Sequence, residues 1–494
     1  MTRNQIWITV GAIAAALAIG IGVTALVTGG GSDSSIDTVT SRATTTSTSS
    51  TTVAPTTTTA PASTTTKPTV VTTTLPPVTV SVVPAPTAAP TVPPTTPPTT
   101  LAPTPSTTVA PTPTTTVPVP PTTIEPSDPG ITDTEIRVAV IADSADAIAG
   151  VNTWAALANA KKGVAGRKIV VDAFPVNGDP AQYAAAVKTA CAQDFAIVGS
   201  NSVADAAVVD LVACDIPDLP ARANSSAHRG AANTFAVVPT SDTKQQVGPF
   251  VSLKGAVQGC CAQYVVKSTD PVAAAATEAS MNAADTKGFT TAGSTALAAD
   301  APQSAYAAVA TAMKNAAANF GRSDLGAAST ISLRNEAQTA GVTGTWFCWS
   351  WCYTQTFLDQ GGPAVEDEYV AIATNPFEEA GAIPAMAKYL AKGGPRVQAG
   401  LESYSAGLLF QTVTGQVAAA AGKNGVTRAA ILAKVAGVAD FTAGNILGPT
   451  DVGARAVSGC FVLMQANNGK FTRVEPSTAT KLSCGDANLV SVGP

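Results

Sequence analysis

From residue 131 onward, short apolar runs closed by turn residues alternate with stretches of helical period. The sharpest is Phe195-Ala-Ile-Val-Gly-Ser-Asn-Ser202, followed by Val203-Ala-Asp-Ala-Ala-Val-Val-Asp-Leu211. An unbroken apolar run bounded by turn residues fits a parallel strand covered on both faces, and the following segment has the period of an amphipathic helix. Ser202 is placed as the helix N-cap, with Asp205 in the first turn. Such a turn aims hydroxyls and free backbone N–H groups into a crevice at the carboxyl end of a sheet. Open α/β sheets hold polar or anionic small molecules there. An ordinary strand-to-helix turn is the alternative reading of the same residues.

The rhythm extends in both directions. Strands are expected at 136–141, 168–173 and 234–238, with helices over 147–160 and 180–191, the latter opened by Asp179-Pro180 with Pro at N1. After Val238-Pro-Thr a second series begins. Its strands are expected at 263–267, 291–297, 327–332 and 343–347, and its helices over 271–287 and 302–319. A strand at 369–374 follows, then helices near 381–391, 401–422 and 427–437, then a hairpin from 459–465 and 469–474. Strands alternating with helices of this length imply βαβ units and parallel sheets, hence an α/β protein.

The first 130 residues have a different texture. Residues 6–27 carry no charge and are about long enough to cross a bilayer. With Arg3 before the run and Asp33 after it, the N-terminus is expected inside and the rest of the chain outside. An uncleaved transmembrane anchor over 1–28 is the favoured reading and a cleaved signal peptide the rival. No cysteine follows the run, so a lipid anchor there is excluded. Residues 29–130 are Thr, Pro, Ser, Val and Ala, with only Asp37, Arg42 and Lys67 charged between Ser34 and Ile124. Such a segment buries too little apolar surface to fold and reads as a disordered stalk. Fully extended as polyproline II it would reach up to roughly 300 Å.

Composition narrows the chemistry. The net charge of −5 over 494 residues offers no basic face for nucleic acid. A single histidine, His228, argues against His-based triads and His-rich metal sites, and next to Arg229 it is placed on the surface. Gly-x-Ser-x-Gly is absent and no base stands near the turn serines, so no enzyme is read here. Eight cysteines in an exported chain favour disulfides over metal ligands. A zinc site of Cys260, Cys261, Cys348 and Cys352 is the sharp alternative. Asn224-Ser-Ser226 fits the N-glycosylation pattern.

A family resemblance rests on residues spread along the chain. Glu135-Ile-Arg-Val-Ala-Val, Gly178-Asp-Pro, Phe195-Ala-Ile-Val-Gly-Ser, Cys214-Asp-Ile-Pro-Asp-Leu-Pro, Thr240-Ser-Asp, Cys352-Tyr-Thr-Gln-Thr-Phe-Leu-Asp-Gln-Gly-Gly362 and Asn468-Gly-Lys-Phe471 occur in that order. Together they resemble the type I periplasmic-binding-protein fold. The nearer likeness is to the branched-chain-amino-acid-binding-like group of ABC-transporter solute-binding proteins, in its actinobacterial form. The resemblance covers 131–494 and rests on order and spacing rather than on one motif. It implies two Rossmann-like lobes with parallel sheets joined by hinge crossings near Val238, Ala371 and 441–448. Lobe one would be 131–240 plus 371–445, with the chain returning to it at 369–374. Lobe two would be 241–370 plus 446–494.

The resemblance also implies a ligand held between the lobes by strand-to-helix turns. From lobe one these would be Ser144, Ser200, Asn201, Ser202, Asn224 and Ser225, and from lobe two Thr269, Asp270, Trp349 and Trp351. In relatives that bind amino acids an acidic side chain holds the amine; Asp143, Asp146 and Asp270 are the nearby acids here, none of them matching that acid, and the chain also departs from its relatives at Asp270-Pro271-Val272, where they often carry Tyr. Trp346-Phe-Cys-Trp-Ser-Trp-Cys-Tyr353 holds three of the five tryptophans. Those rings would either stack a flat or apolar ligand or pack into the core around a disulfide. The expected bridges are Cys191–Cys214, Cys460–Cys484 and two links joining the Cys260/Cys261 pair to the Cys348/Cys352 pair. The function implied is capture of a small solute, an amino acid, amide or other small organic molecule, for an ABC permease. A tethered surface sensor or structural protein with the same fold is the alternative. No cofactor and no metal is assigned.

Overall fold

The computed structural model describes residues 128–493. The expected membrane segment and all but the last residues of the expected stalk lie outside them. Among the described residues no helix is long and apolar enough to cross a membrane.

The first sheet is parallel, in the order β2-β1-β3-β4, from β1 (Glu135–Ala142), β2 (Lys168–Pro175), β3 (Ala196–Val198) and β4 (Asp218–Leu219). Helix α1 (Ala145–Asn159) starts where the Ser144 side chain accepts from Asp146 N. Helix α2 (Pro180–Gln193) starts where Asp179 accepts from Ala181 N and Gln182 N, with Pro at its first turn. Alternation along the strands divides the core. Ile136, Val138 and Val140 face α1, while Ala139, Ile141 and Ile197 face α2.

Beyond β3 the expected helix over 203–211 is not formed. Residues 203–206 form a turn and only α3 (Val209–Ala213) is helical. Ser202 Oγ accepts from Ala204 N at 3.1 Å, but Asp205 turns its carboxylate to Asn224 N and Ser225 N instead of to its own first turn. After β4 comes the short helix α4 (Ser226–Gly230). The expected strand at 234–238 is an extended segment beside β4, with Phe235 N on Asp218 O and Val237 N on Pro220 O.

The second sheet has seven strands in the order β12-β11-β10-β9-β8-β6-β7. Ahead of it, β5 (Lys244–Gln246) pairs with the terminal strand β13 (Leu489–Ser491), and α5 (Gly248–Leu253) leads in. The parallel part is β6 (Ala262–Ser268), β7 (Thr290–Leu297), β8 (Phe320–Ser323), β9 (Thr345–Trp349) and β10 (Tyr369–Ile372). It is joined by α6 (Pro271–Asp285), α7 (Gln303–Asn315), α8 (Ala327–Ala340) and α9 (Gln355–Gly361). The hairpin of β11 (Val462–Asn467) and β12 (Lys470–Glu475) adds antiparallel to β10.

Two sequence expectations change here. Residues 327–332 are the first turns of α8, and the strand is Phe320–Ser323. Thr330, Ile331, Leu333 and Ala337 are buried at helical spacing, and left-handed Gly341 closes the helix. Tyr369–Ile372 does not return to the first sheet but continues the second, next to β9. Its Val-Ala-Ile run suits any doubly covered parallel strand, so pattern alone does not choose its sheet.

The chain then returns to the first sheet as α10 (Pro384–Ala391), α11 (Gln398–Ala421) and α12 (Arg428–Val435). Helix α11 lies tightly on α1. A Cβ at Gly150 would meet Gly400 O at 2.1 Å, and the Trp154 ring lies over Gly407 and edge-on to Phe410, centroids 5.8 Å apart. Where the chain passes between the sheets, residues 374–375 and 446–447 run antiparallel, with Asn375 N on Ile446 O at 2.8 Å.

All eight cysteines are paired. Cys191–Cys214 and Cys460–Cys484 form as expected. The other four pair as Cys260–Cys261 and Cys348–Cys352 instead of across the two pairs. Strand register gives the reason. Cys348 stands opposite Ser323, which stands opposite Val266. Cys261 therefore lies about 16 Å further down the sheet and two strands across. Disulfides need Cα atoms within about 7 Å.

Candidate functional site

Both sheets end their parallel strands in turns, and the sequence-predicted residues collect at those ends. In the first sheet the turns are tied together by two buried or half-buried carboxylates. Asp143, following β1, accepts from Gly178 N at 2.7 Å, from the Ser202 hydroxyl at 2.8 Å and from Val203 N at 2.8 Å. It thus joins the turns after β1, β2 and β3. Asp205 accepts from Asn224 N at 2.6 Å and Ser225 N at 2.8 Å, which fixes the turn after β4. The Asn224 amide donates to Ser202 O at 2.9 Å and to Asn201 Oδ1 at 3.3 Å. Ser225 Oγ accepts from His228 N, and Ser144 caps α1. Ser200 is buried below the rim, its Oγ accepting from Ile141 N at 2.9 Å. Asp146 sits exposed in the first turn of α1.

His228 belongs to this network and not to the surface, where the sequence placed it. It is buried between two carboxylates, Nδ1 at 2.8 Å from Asp205 Oδ2 and Nε2 at 2.6 Å from Asp218 Oδ2. Burial opposes its charge, but the negative charge of Asp218 and the hydrogen bonds to Asp205 and Asp218 outweigh it and push the imidazole up to about 10. Burial likewise opposes charge on Asp205, yet the hydrogen bond and charge of His228, together with Asn224 N–H, hold its carboxyl below the usual range. The sequence signal for this triad was Asp218 itself, a carboxylate inside the apolar run Ile216-Pro-Asp-Leu-Pro. A charge buried in a strand needs a partner.

At the rim, Arg222 and Glu402 form a bidentate pair, Nε to Oε2 and Nη2 to Oε1, both 2.7 Å. Glu402 is on α11, so the pair ties that helix to the turn after β4. Periodicity did not single out either residue.

In the second sheet the expected residues end β6 and β9. Thr269 and Asp270 are exposed at the start of α6, where Asp270 Oδ1 caps Ala273 N at 2.9 Å. The aromatic run divides by strand alternation. Trp346 turns to one face, packed on Gly321 under the Arg334 guanidinium, 4.5 Å from its ring. Trp349 turns to the other, half-buried against Phe347 and Phe250, centroids 5.0 and 5.8 Å away. Trp351 is exposed at 39%. The run therefore divides, with Trp346 in the core, Trp349 half-buried on the opposite face and Trp351 exposed at the carboxyl end. Each sheet gathers its own expected residues at one edge, and among the described residues no hydrogen bond joins the two sets. A groove of about 650 Å³ lined by Arg334, Trp346, Asp367 and Tyr369 opens at the opposite, amino-terminal end of the second sheet. It is separate from these turns.

A two-sheet α/β protein with polar and aromatic turns at the carboxyl strand ends is the architecture of a two-lobed binding protein. The sequence profile of the family described as periplasmic binding protein matches residues 139–470, and the chain belongs to that family. No curated protein matches the sequence. Among solved structures, a fatty acid ABC transporter substrate-binding protein from Thermomonospora curvata aligns at TM-score 0.59 and 16% identity, over 73% of this chain and 95% of its own. A leucine-binding protein from Thermotoga maritima aligns at 0.55 and 16%, over 69% and 97%. A branched-chain amino acid transporter substrate-binding protein from Streptococcus pneumoniae, solved with isoleucine, aligns at 0.56 and 16%, over 69% and 100%. At these identities the likeness is one of fold.

Proposed function

We propose that the chain is an extracellular solute-binding protein that closes two lobes on a small organic molecule and delivers it to an ABC permease. Lobe one comprises the first sheet with α10 to α12, and lobe two the second sheet with its hairpin. The crossings at 374–375 and 446–447 serve as the hinge, and ligand shifts an open–closed equilibrium. The observation that carries this reading is the gathering of Asn201, Ser202 and Asn224 at one carboxyl sheet edge and of Thr269, Trp349 and Trp351 at the other. The family and its ABC-transporter structural neighbours support it. The chain's uncharged N-terminal run and Thr/Pro-rich segment suit a membrane anchor and a stalk that hold the lobes outside the cell.

The test is thermal unfolding of the full chain against amino acids, amides, aromatics, sugars and polyamines. A ligand at 100 times its Kd stabilises by about 2.7 kcal/mol. A hit that Trp351→Ala, at the exposed ring, abolishes without lowering the unliganded midpoint supports the reading. Hits that Trp351→Ala and Asn224→Ala both leave unchanged refute this site. No hit from folded, ligand-stripped protein favours the sensor or structural alternative.

A further inference from the structure

We infer that Asp143 and Asp205 are built-in occupants of the anion-holding positions of lobe one, and that the site therefore selects solutes without a free carboxylate or phosphate. The inference rests on the solute-binding reading and names its ligand class. Turns at the carboxyl ends of parallel strands present unpaired N–H groups, which suit an anion. Here those donors are already used. Gly178 N, Val203 N and the Ser202 hydroxyl converge on the Asp143 carboxylate. Asn224 N and Ser225 N converge on that of Asp205.

An arriving carboxylate would have to displace a covalently attached one of equal charge. It would also approach three carboxylates, Asp143, Asp205 and Asp218, balanced locally by His228, while Arg229, the other cation of this turn, is held by Asn224 O and Asp242. The neighbouring cation at the rim is no substitute, because Arg222 is held by both oxygens of Glu402. What these turns leave for a ligand is uncharged: Asn201 Nδ2 and Asn224 Oδ1, on side chains that are part-exposed and whose other amide atoms are already bonded. Opposite, lobe two offers the Trp349 and Trp351 rings, which favour a flat or apolar face. The ligand class is thus an uncharged or cationic small molecule with an apolar or aromatic face, such as an amide or amine.

The test has two arms, both on the full chain. In the first, Asp143→Ala empties the hole, and sodium formate refills it. The thermal midpoint of Asp143→Ala is expected to rise several degrees more in formate than in sodium chloride of equal ionic strength, while the wild type responds alike to both. Equal responses in the variant overturn the inference. In the second arm, matched pairs are titrated calorimetrically: benzamide against benzoate, and leucinamide against leucine. The wild type is expected to bind the carboxylate-free member at least tenfold more tightly, and Asp143→Ala to narrow that ratio. A wild type that binds the acid as tightly as the amide overturns the inference and leaves the solute-binding reading standing. Failure of every compound, with formate rescue intact, counts against the solute-binding reading and not against the occupied hole. Should Asp143→Ala not fold, Asp143→Asn keeps an acceptor and removes the charge. It is expected to narrow the acid-to-amide ratio at least threefold, and an unchanged ratio overturns the inference.

Discussion

The buried Asp205–His228–Asp218 triad makes the pH dependence of stability a sharp quantity, because His228 is the chain's only histidine. Its imidazole is pushed up to about 10 in the folded protein, against about 6.5 when unfolded. The folded state therefore holds a proton that the unfolded state releases above about pH 6.5. The stabilisation is fully present below that pH and is lost as pH rises toward 10. One proton corresponds to about 1.4 kcal/mol per pH unit, so between pH 7 and 9 the triad gives up about 3 kcal/mol. Asp194, pushed up to about 8 chiefly by burial, and Glu368, pushed up to about 7 by burial, also lose stability with rising pH. Both are present in His228→Gln, but Asp205 there loses the partner that lowers its carboxyl, so the imidazole signal itself is the readout that isolates the histidine. Denaturant unfolding of the full chain, followed by tryptophan fluorescence from pH 6 to 9, should show wild type and His228→Gln converging as pH rises. Histidine labelled with carbon-13 should give one imidazole signal that stays protonated to pH 9. A signal titrating near pH 6.5 would refute the argument.

The α1–α11 contact predicts opposite outcomes for two glycines. Gly150→Ala should cost about 1–3 kcal/mol in denaturant unfolding, since its Cβ meets Gly400 O. Gly415→Ala, in open space on α11, should gain up to about 1 kcal/mol. Equal shifts would contradict the packing. Replacing Cys191 and Cys214 together by Ser should cost about 3 kcal/mol, as expected for a closed loop of this length, with no loss expected if the bridge does not form. Non-reducing peptide mapping should find Cys348 bonded to Cys352, whereas a peptide joining Cys261 to Cys348 would overturn the register of the second sheet.

What could be read along the chain was what depends on neighbours in sequence. Apolar runs located β1, β2, β3, β6 and β9, and Asp179-Pro180 fixed the start of α2 through the Asp179 side chain. Errors arose where a residue's partner is distant. Ser202 and Asp205 make a good capping pattern, and Ser202 Oγ does accept from Ala204 N, but Asp205 is taken by Asn224 N and Ser225 N, 19 and 20 positions away. Ala327–Ala340 was mistaken for a strand at its start because Ser-Thr-Ile-Ser-Leu suits either state, and only burial at 330, 331, 333 and 337 decides it. The expected cysteine links join a pair that precedes its strand, Cys260/Cys261, to one that ends its strand, Cys348/Cys352. In parallel strands those are opposite ends of the sheet, too far apart to bridge.

The same distance effect bears on how the site is to be understood. The hydroxyls and backbone donors that make Ser200 to Ser202 and Asn224-Ser225 attractive as ligand holders were correctly located at the carboxyl edge of a sheet. Their availability is a separate matter, settled by carboxylates 19 to 60 positions away in sequence. A donor already satisfied by a buried or half-buried carboxylate shapes and rigidifies a rim, and offers a ligand little. The turn residues of lobe one are thus better understood as a braced wall than as a grip. On the solute-binding reading proposed above, discrimination falls to groups whose surfaces remain partly open, among them the uncharged amides of Asn201 and Asn224 and the rings of Trp349 and Trp351.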